Sequence, residues 1–408
     1  MNNEPRAFAG VDWAVNDHQA CVIDAAGGGV GNRKFAHSGQ GLAAMADWIL
    51  ELSGCQPQHV AVGIETPHGP VVESLQGRGF RVFAIGPKQL DRFRDRYFPA
   101  GSKDDSLDAQ VLAQTLRSDR YAYRELSVPE AHVLELRDLS RSAEELTRER
   151  VRLRNRMSNQ LWRYYPQILD LGADMAANWI LDLWGIAPTP EKARRLTRPR
   201  IAGILKANRI RRMGAEEVRE ILRREPIAVA PGTVQAASQS IARIVRRLRL
   251  NGRLLKEVNA EIDRLLEKLD ERGGQRDAEI LRSVPGVGRT VLATLLAEAC
   301  DPIGRRDYLA LRALCGSAPV TKRSGKGIIV VRRMAVHARL RNACHYMAGS
   351  AIQHDPKSRL RYDALRQRGC KHSRALRTVA DRLLAAMCAM LRDQTLYDPE
   401  RTTRREVA

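Results

Sequence analysis

The hydrophobic period of this chain changes near residue 126, which excludes a single uniform architecture. Before that point, short apolar runs of strand length alternate with helix-like stretches. Residues 6–12, 17–24 and 29–36 read as three successive strands, with the glycine run Gly27-Gly28-Gly29 at the last turn. A helix is expected near 40–53, then strand 59–65, helix 70–77, strand 80–85 and helices 87–96 and 103–118. Beyond residue 126 the strand signals stop. Residues 130–166 carry Leu139, Leu146 and Leu153 at a spacing of seven, joined by Leu136, Ala143 and Met157. Residues 235–271 carry Ile241, Leu248, Leu255, Ile262 and Leu269 at the same spacing, with Ile244, Val258 and Leu265 on a second seam interrupted by Asn251. This pattern predicts an antiparallel helical hairpin or a coiled coil between chains, and a lone polar seam residue often sets register. Residues 167–234 are basic and broken by prolines, which predicts short helices.

Four acidic residues fall on the strand-rich part. Asp12 lies in the apolar run FAGVDWA, Glu65 closes VAVGIETP, and Asp105 and Asp108 sit in SKDDSLDAQVLA. Asp105 and Asp108 are three apart on a helical stretch and share a face. Three strands followed by alternating helices and strands is the element order of a ribonuclease-H-like fold, in which the first strand, the end of the fourth and a late helix bring acids together. Gathered carboxylates repel unless cations sit between them. Mg²⁺ prefers such oxygen ligands, and paired ions clamp the attacking and leaving oxygens of a phosphodiester. The blander readings are a turn position for Asp12 and a solvent-facing loop for Glu65. Asp104 competes with Asp105, since it too shares a face with Asp108, or it caps the helix.

Charge points to the partner. Residues 1–125 hold 13 basic and 15 acidic residues, and the remainder holds 55 and 32. A near-neutral domain followed by a body of net charge +23 predicts a polyanionic partner, nucleic acid before a membrane surface. The 7 cysteines are scattered without a C-x-x-C pair, which argues against structural zinc and suits reduced thiols in a cytoplasm. No signal-peptide core and no membrane-spanning apolar run is expected.

The last section, 276–408, opens with LRSVPGVGRTVLATLLAEACD. Its PGVG turn between helical stretches is a helix-hairpin-helix signal, in which Gly286 and Gly288 would let backbone N–H groups approach phosphate. Ser324 follows in a basic, glycine-rich stretch. Lys322, Arg323, Lys326, Arg332 and Arg333 stand ready to hold phosphate around it. Most serines beside glycine are turn residues. Ser317, in the neighbouring G-S-A-P turn, is the weaker candidate because its flanks are apolar. The tail RTTRREVA is expected to be mobile.

Taken together, these motifs resemble the DEDD-type insertion-sequence transposases that include the Piv-type DNA invertases. The resemblance rests on GVDWA, GIETP and Lys103-Asp104-Asp105-Ser106-Leu107-Asp108-Ala109 at one end. At the other it rests on VPGVG, the Gly316–Pro319 element and Ser324-Gly325 before a basic segment. One motif departs: the family often has glycine-asparagine before its Leu-Arg pair, where this chain has Met334-Ala335-Val336-His337-Ala338 before Arg339-Leu340-Arg341. The resemblance implies a RuvC-like domain over 1–125, a coiled-coil and helical insert over 126–275, and a mainly α transposase domain over 276–408. It implies that Asp12, Glu65, Asp105 and Asp108 bind Mg²⁺, and that Ser324 forms a 5′-phosphoserine link to DNA. It also implies a structured guide RNA (the bridge RNA) that chooses donor and target DNA. The protein would act as a dimer to tetramer, with acids and serine drawn from different protomers, in a cytoplasmic, nucleoid-associated setting. Two other readings stay open. One is a RuvC-like nuclease that hydrolyses DNA with the acids alone, and the other a non-enzymatic basic RNA-binding protein. The aromatics Trp162, Tyr164 and Tyr165, beside the Arg-rich face of 137–163, fit core packing better than base stacking.

Overall fold

A computed structural model describes residues 4–97, 104–128, 130–230, 232–271, 276–325 and 327–400. The chain forms two compact units, split after Pro129. Lys103, Lys326 and the tail 401–408 lie outside the described residues.

The first unit is an α/β layer structure. Strands β1 (Ala7–Trp13), β2 (Asp17–Asp24) and β3 (Gly29–Ala36) form an antiparallel meander. Strand β4 (Val60–Ile64) pairs parallel to β1, β5 (Arg81–Ala84) pairs parallel to β4, and the two-residue β6 (Arg124–Glu125) runs antiparallel to β5. The sheet order is β3-β2-β1-β4-β5-β6. Helices α1 (Gly39–Ser53) and α2 (Pro70–Gly77) cover one face, and α3 (Pro87–Tyr97) and α4 (Asp105–Asp119) the other.

Strand alternation decides which residues meet which layer. Ala7, Ala9 and Val11 of β1 and Val60, Val62 and Ile64 of β4 pack with α1 and α2. Phe8 and Ala61 turn to the α3–α4 side, so Gly10, Asp12, Gly63 and Glu65 follow them by parity. Gly10 and Gly63 are register partners on adjacent strands. A Cβ at Gly10 would lie 2.0 Å from the Ala109 carbonyl, and one at Gly63 would lie 3.1 Å from that of Leu112. These two bare positions let the backbone of α4 lie directly on the strands.

Among its described residues the second unit is helical apart from one hairpin. Two long helices, α5 (Ala131–Tyr164) and α10 (Thr233–Glu271), run antiparallel, as matched contacts along their length show. Arg247 pairs with Glu149, Asn251 Nδ2 donates to the Leu146 carbonyl at 3.0 Å, and Leu136 shares a core with Ile262. Asn251 is the expected polar interruption of the seam, buried and tied across to α5. Between the long helices lie α6 (Asn178–Ile186), α7 (Pro190–Arg194), α8 (Arg198–Ala207) and α9 (Ala215–Arg223). They close one core over one end of the pair, and Tyr164 and Tyr165 are buried there while Trp162 is exposed.

The other end of the pair packs into a second core with the remaining helices. These are α11 (Asp277–Ser283), α12 (Arg289–Glu298), α13 (Cys300–Gly304), α14 (Tyr308–Cys315), α15 (Ala338–His354), α16 (Pro356–Gln367) and α17 (His372–Asp393). The expectation that strands end at residue 126 is corrected by β7 (Val320–Ser324) and β8 (Gly327–Val331), an antiparallel hairpin. Its residues are exposed on both faces, so no inward–outward alternation marks it in the sequence. All seven cysteines are free. Among the described residues no helix is long and apolar enough to cross a membrane.

Candidate active site

Three elements of the first unit deliver the acids. Asp12 is the penultimate residue of β1, Glu65 follows the last residue of β4, and Val11 and Ile64 are register partners. Asp105 opens α4 and Asp108 stands one turn on. Asp108 begins the buried stripe of α4 that continues through Ala109, Leu112, Ala113 and Leu116. The close approach at Gly10 therefore carries the start of α4 to the strand ends.

Asp12 feels the charges of the other three carboxylates. The Asp12 carboxyl is pushed up from 3.8 to about 6, first by burial, then by the charges of Asp108, Asp105 and Glu65, with Arg94 opposing. Asp105 thus bears on Asp12, while Asp104 takes the N-cap position of α4 without a side-chain capping bond. Among the described residues no three acidic, histidine or cysteine side chains already enclose a metal position. An anionic cluster that raises its own proton affinity nonetheless has the chemistry of a hard-cation site.

Sequence reasoning missed the residues that hold this cluster. Arg94 of α3 grips Asp108 with two bonds, Nε to Oδ1 at 2.6 Å and Nη2 to Oδ2 at 2.8 Å. Asn32 of β3 donates to the Ser106 hydroxyl at 2.6 Å and accepts from Gln19 of β2, tying the sheet to the start of α4. The exposed Trp13 indole donates to the Thr66 hydroxyl and links the segments that follow Asp12 and Glu65. The only sequence signal for Arg94 was its helical spacing of three from Asp91.

In the second unit Ser324 ends β7, opposite Gly327, and is exposed. Gly325 has φ +55°, which turns the hairpin. Lys322 and Arg323 are exposed beside it on β7, whereas Arg332 and Arg333 follow β8 at the opposite end of the hairpin, so the structure does not bring them to Ser324. The Arg333 Nε is buried and has no hydrogen-bond partner among the described residues. Burial, with Arg332 and Arg374 close by, presses the Arg377 guanidinium below its ordinary value. Cations that crowd one another in this way favour an anion between them. Ser317 is engaged elsewhere: its hydroxyl donates to Asp381 at 2.7 Å, and Asp381 is held by Arg312. Gly286 has a packing reason for being glycine, since a Cβ there would meet the Met347 carbonyl at 2.1 Å. Gly288 caps α12 and faces open space.

The departing motif also finds its place. His337 caps α15, and Arg339 reaches Glu298 and Glu144. Burial pushes the Glu298 carboxyl up, but Arg141, His337 and Arg339 outweigh it and hold it below the ordinary value.

Comparison with known proteins gives the family of the chain. Residues 9–166 match the transposase family model DEDD_Tnp_IS110, and residues 278–363 match the model described as "Transposase IS116/IS110/IS902 family". The chain is 51% identical over 216 residues to the putative transposase y4uE of Sinorhizobium fredii, a match covering 53% of this chain and 60% of that protein. It is 30% identical over 405 residues to the mini-circle putative transposase for IS117 of Streptomyces coelicolor, covering 97% and 96% of the two chains. An uncharacterized 42 kDa protein of insertion element IS900 from Mycobacterium paratuberculosis is 26% identical over 402 residues. The chain belongs to the IS110 family of insertion-element transposases.

Proposed function

We propose that this protein cuts and rejoins DNA, using a divalent metal held by Asp12, Glu65, Asp105 and Asp108 and the hydroxyl of Ser324. The observation that carries the reading is that Asp12, raised to about 6 first by burial, also feels the charges of Asp108, Asp105 and Glu65. The first unit then corresponds to a ribonuclease-H-like, RuvC-type domain, in keeping with its mixed sheet order. Mg²⁺ in such a site supplies positive charge to phosphoryl oxygens and lowers the pKa of bound hydroxyl groups.

Ser324 supports the second half of the chemistry by its exposure on a glycine turn among cations. Its Oγ attacks phosphorus and forms the 5′-phosphoserine bond. The bond to the 3′-oxygen breaks, and that oxygen leaves as a 3′-hydroxyl. Rejoining reverses the step with a different 3′-hydroxyl. Lys322 and Arg323 hold the phosphate, with Lys326 expected to join them, and Arg332 and Arg333, at the other end of the hairpin, meet the strand further along. The basic helical body suits structured RNA as well as DNA, so RNA guidance in a dimer to tetramer is part of this proposal.

The test is a denaturing gel of protein incubated with labelled DNA, guide RNA and Mg²⁺. A covalent adduct is expected for the native chain and for Ser317→Ala, and none for Ser324→Ala. An adduct that persists in Ser324→Ala would remove the nucleophile assignment. DNA cleavage without any adduct would favour the nuclease reading, in which the acids act alone.

A further inference from the structure

We propose that Arg94 is a resident cation of the acidic site: it competes with a divalent metal for Asp108 and withdraws to Asp91 when the metal binds. This rests on the metal-site reading above and goes beyond it by naming the group that a metal must displace.

The geometry is specific. Arg94 commits Nε and Nη2 to the two oxygens of Asp108, at 2.6 and 2.8 Å. Its third nitrogen, Nη1, lies 3.0 Å from Asp91 Oδ1. The two acceptors differ in setting, since the Asp108 side chain is 8% exposed and that of Asp91 is 65% exposed. A carboxylate whose two oxygens are both taken by a guanidinium fork cannot offer one to a hard cation without surrendering a charge-assisted bond. Arg94 stays charged at any physiological pH, so its hold on Asp108 is not released by titration. Asp91 and Arg94 are three apart on α3 and share its face. A change of side-chain rotamer is therefore enough to carry the guanidinium from the buried acceptor to the exposed one, with the helix in place.

The arrangement also gives Arg94 a purpose that a plain strut would lack. Four carboxylates near one another are self-repelling, and a mobile cation on the most buried of them offsets that repulsion. The rival reading is a fixed strut that joins α3 to α4, with Asp108 outside the metal set.

Mn²⁺ binding to the full-length protein separates the two, read by the paramagnetic resonance signal of the free ion. Arg94→Met should bind Mn²⁺ about tenfold more tightly than the native chain, because the competing charge-assisted bonds are gone. Asp91→Asn, at an exposed position, should bind about threefold more weakly, because Arg94 loses its resting place. Asp12→Asn serves as the control for the metal site itself and should not bind. Equal affinity of the native chain and Arg94→Met, with Asp12→Asn still defective, overturns the competition and leaves the metal site standing. No Mn²⁺ binding by either the native chain or Arg94→Met overturns both. If Arg94→Met does not fold, Asp91→Asn decides: weakened binding supports the exchange and unchanged binding rejects it.

Discussion

Asp12 and Glu298 are both carboxylates drawn away from water, and their surroundings push them in opposite directions. Around Asp12 stand three more acids and one opposing guanidinium, and the acids add to burial in raising its carboxyl to about 6. Around Glu298 stand Arg137, Arg141, Arg339 and His337, and its carboxyl falls below the ordinary value despite burial. The Glu298 network is saturated with cations and joins α5, α12 and α15 into one core. Among the described residues the Asp12 cluster meets one opposing cation, Arg94. A fold that needed only stability would not gather acids this way. The contrast separates a structural use of buried charge from the cation site proposed above.

The largest expected effect attacks that contrast directly. Glu298→Gln should cost the second unit about 3 kcal/mol, because three arginines lose their shared counter-charge. Asp12→Asn should leave stability at neutral pH unchanged or higher, since it removes a repelled charge. Urea unfolding of both variants checks this, and equal losses would erase the distinction.

A smaller effect follows from the sign of the Asp12 shift. Its folded value is raised from 3.8 to about 6, so its contribution to stability is fully present below pH 3.8 and lost as pH rises through 6. In a chelating buffer, the stability of the native chain should therefore fall relative to Asp12→Asn between those limits. Glu298 runs the other way: its contribution is present above its ordinary 4.5 and lost as pH falls through its lowered value. Thermal melts of native, Asp12→Asn and Glu298→Gln chains across this range would show both trends. Parallel curves for native and Asp12→Asn would contradict the first.

The smallest expected effect concerns the tie that places α4. Asn32→Ala removes the bond to Ser106 and should cost about 1 kcal/mol. It should also weaken metal binding, because Asp105 begins the same helical turn. Unchanged metal affinity would show that the Gly10 contact alone positions the helix.

How much of this was legible beforehand depended on range. Strands 17–24 and 29–36 coincide with β2 and β3, and both long helices fall within two residues of their expected ends. Local periodicity carries such information. Asp12 and Glu65 stand out in the sequence because an acid at the end of an apolar strand is conspicuous. The hairpin carrying Ser324 was missed, because Thr321, Lys322 and Arg323 face Val330, Ile329 and Ile328 with both sides in solvent. The grip of Arg94 on Asp108 and the convergence on Glu298 were also illegible. They join residues 14 to 161 positions apart, and no spacing rule reaches across a fold. Gly286 was read as an opening for phosphate, yet its contact with Met347 already requires a glycine.

The central claim is that Asp12 holds a metal that works in DNA joining. Replacing it with cysteine changes one hard oxygen ligand for a soft sulfur, which disfavours Mg²⁺ and tolerates Mn²⁺ or Cd²⁺. The decisive measurement is strand joining by Asp12→Cys with each ion in turn, at equal protein and DNA. The account predicts a loss of at least about a hundredfold with Mg²⁺ and substantial recovery with Mn²⁺ or Cd²⁺. Native-level joining by Asp12→Cys in Mg²⁺ would contradict it.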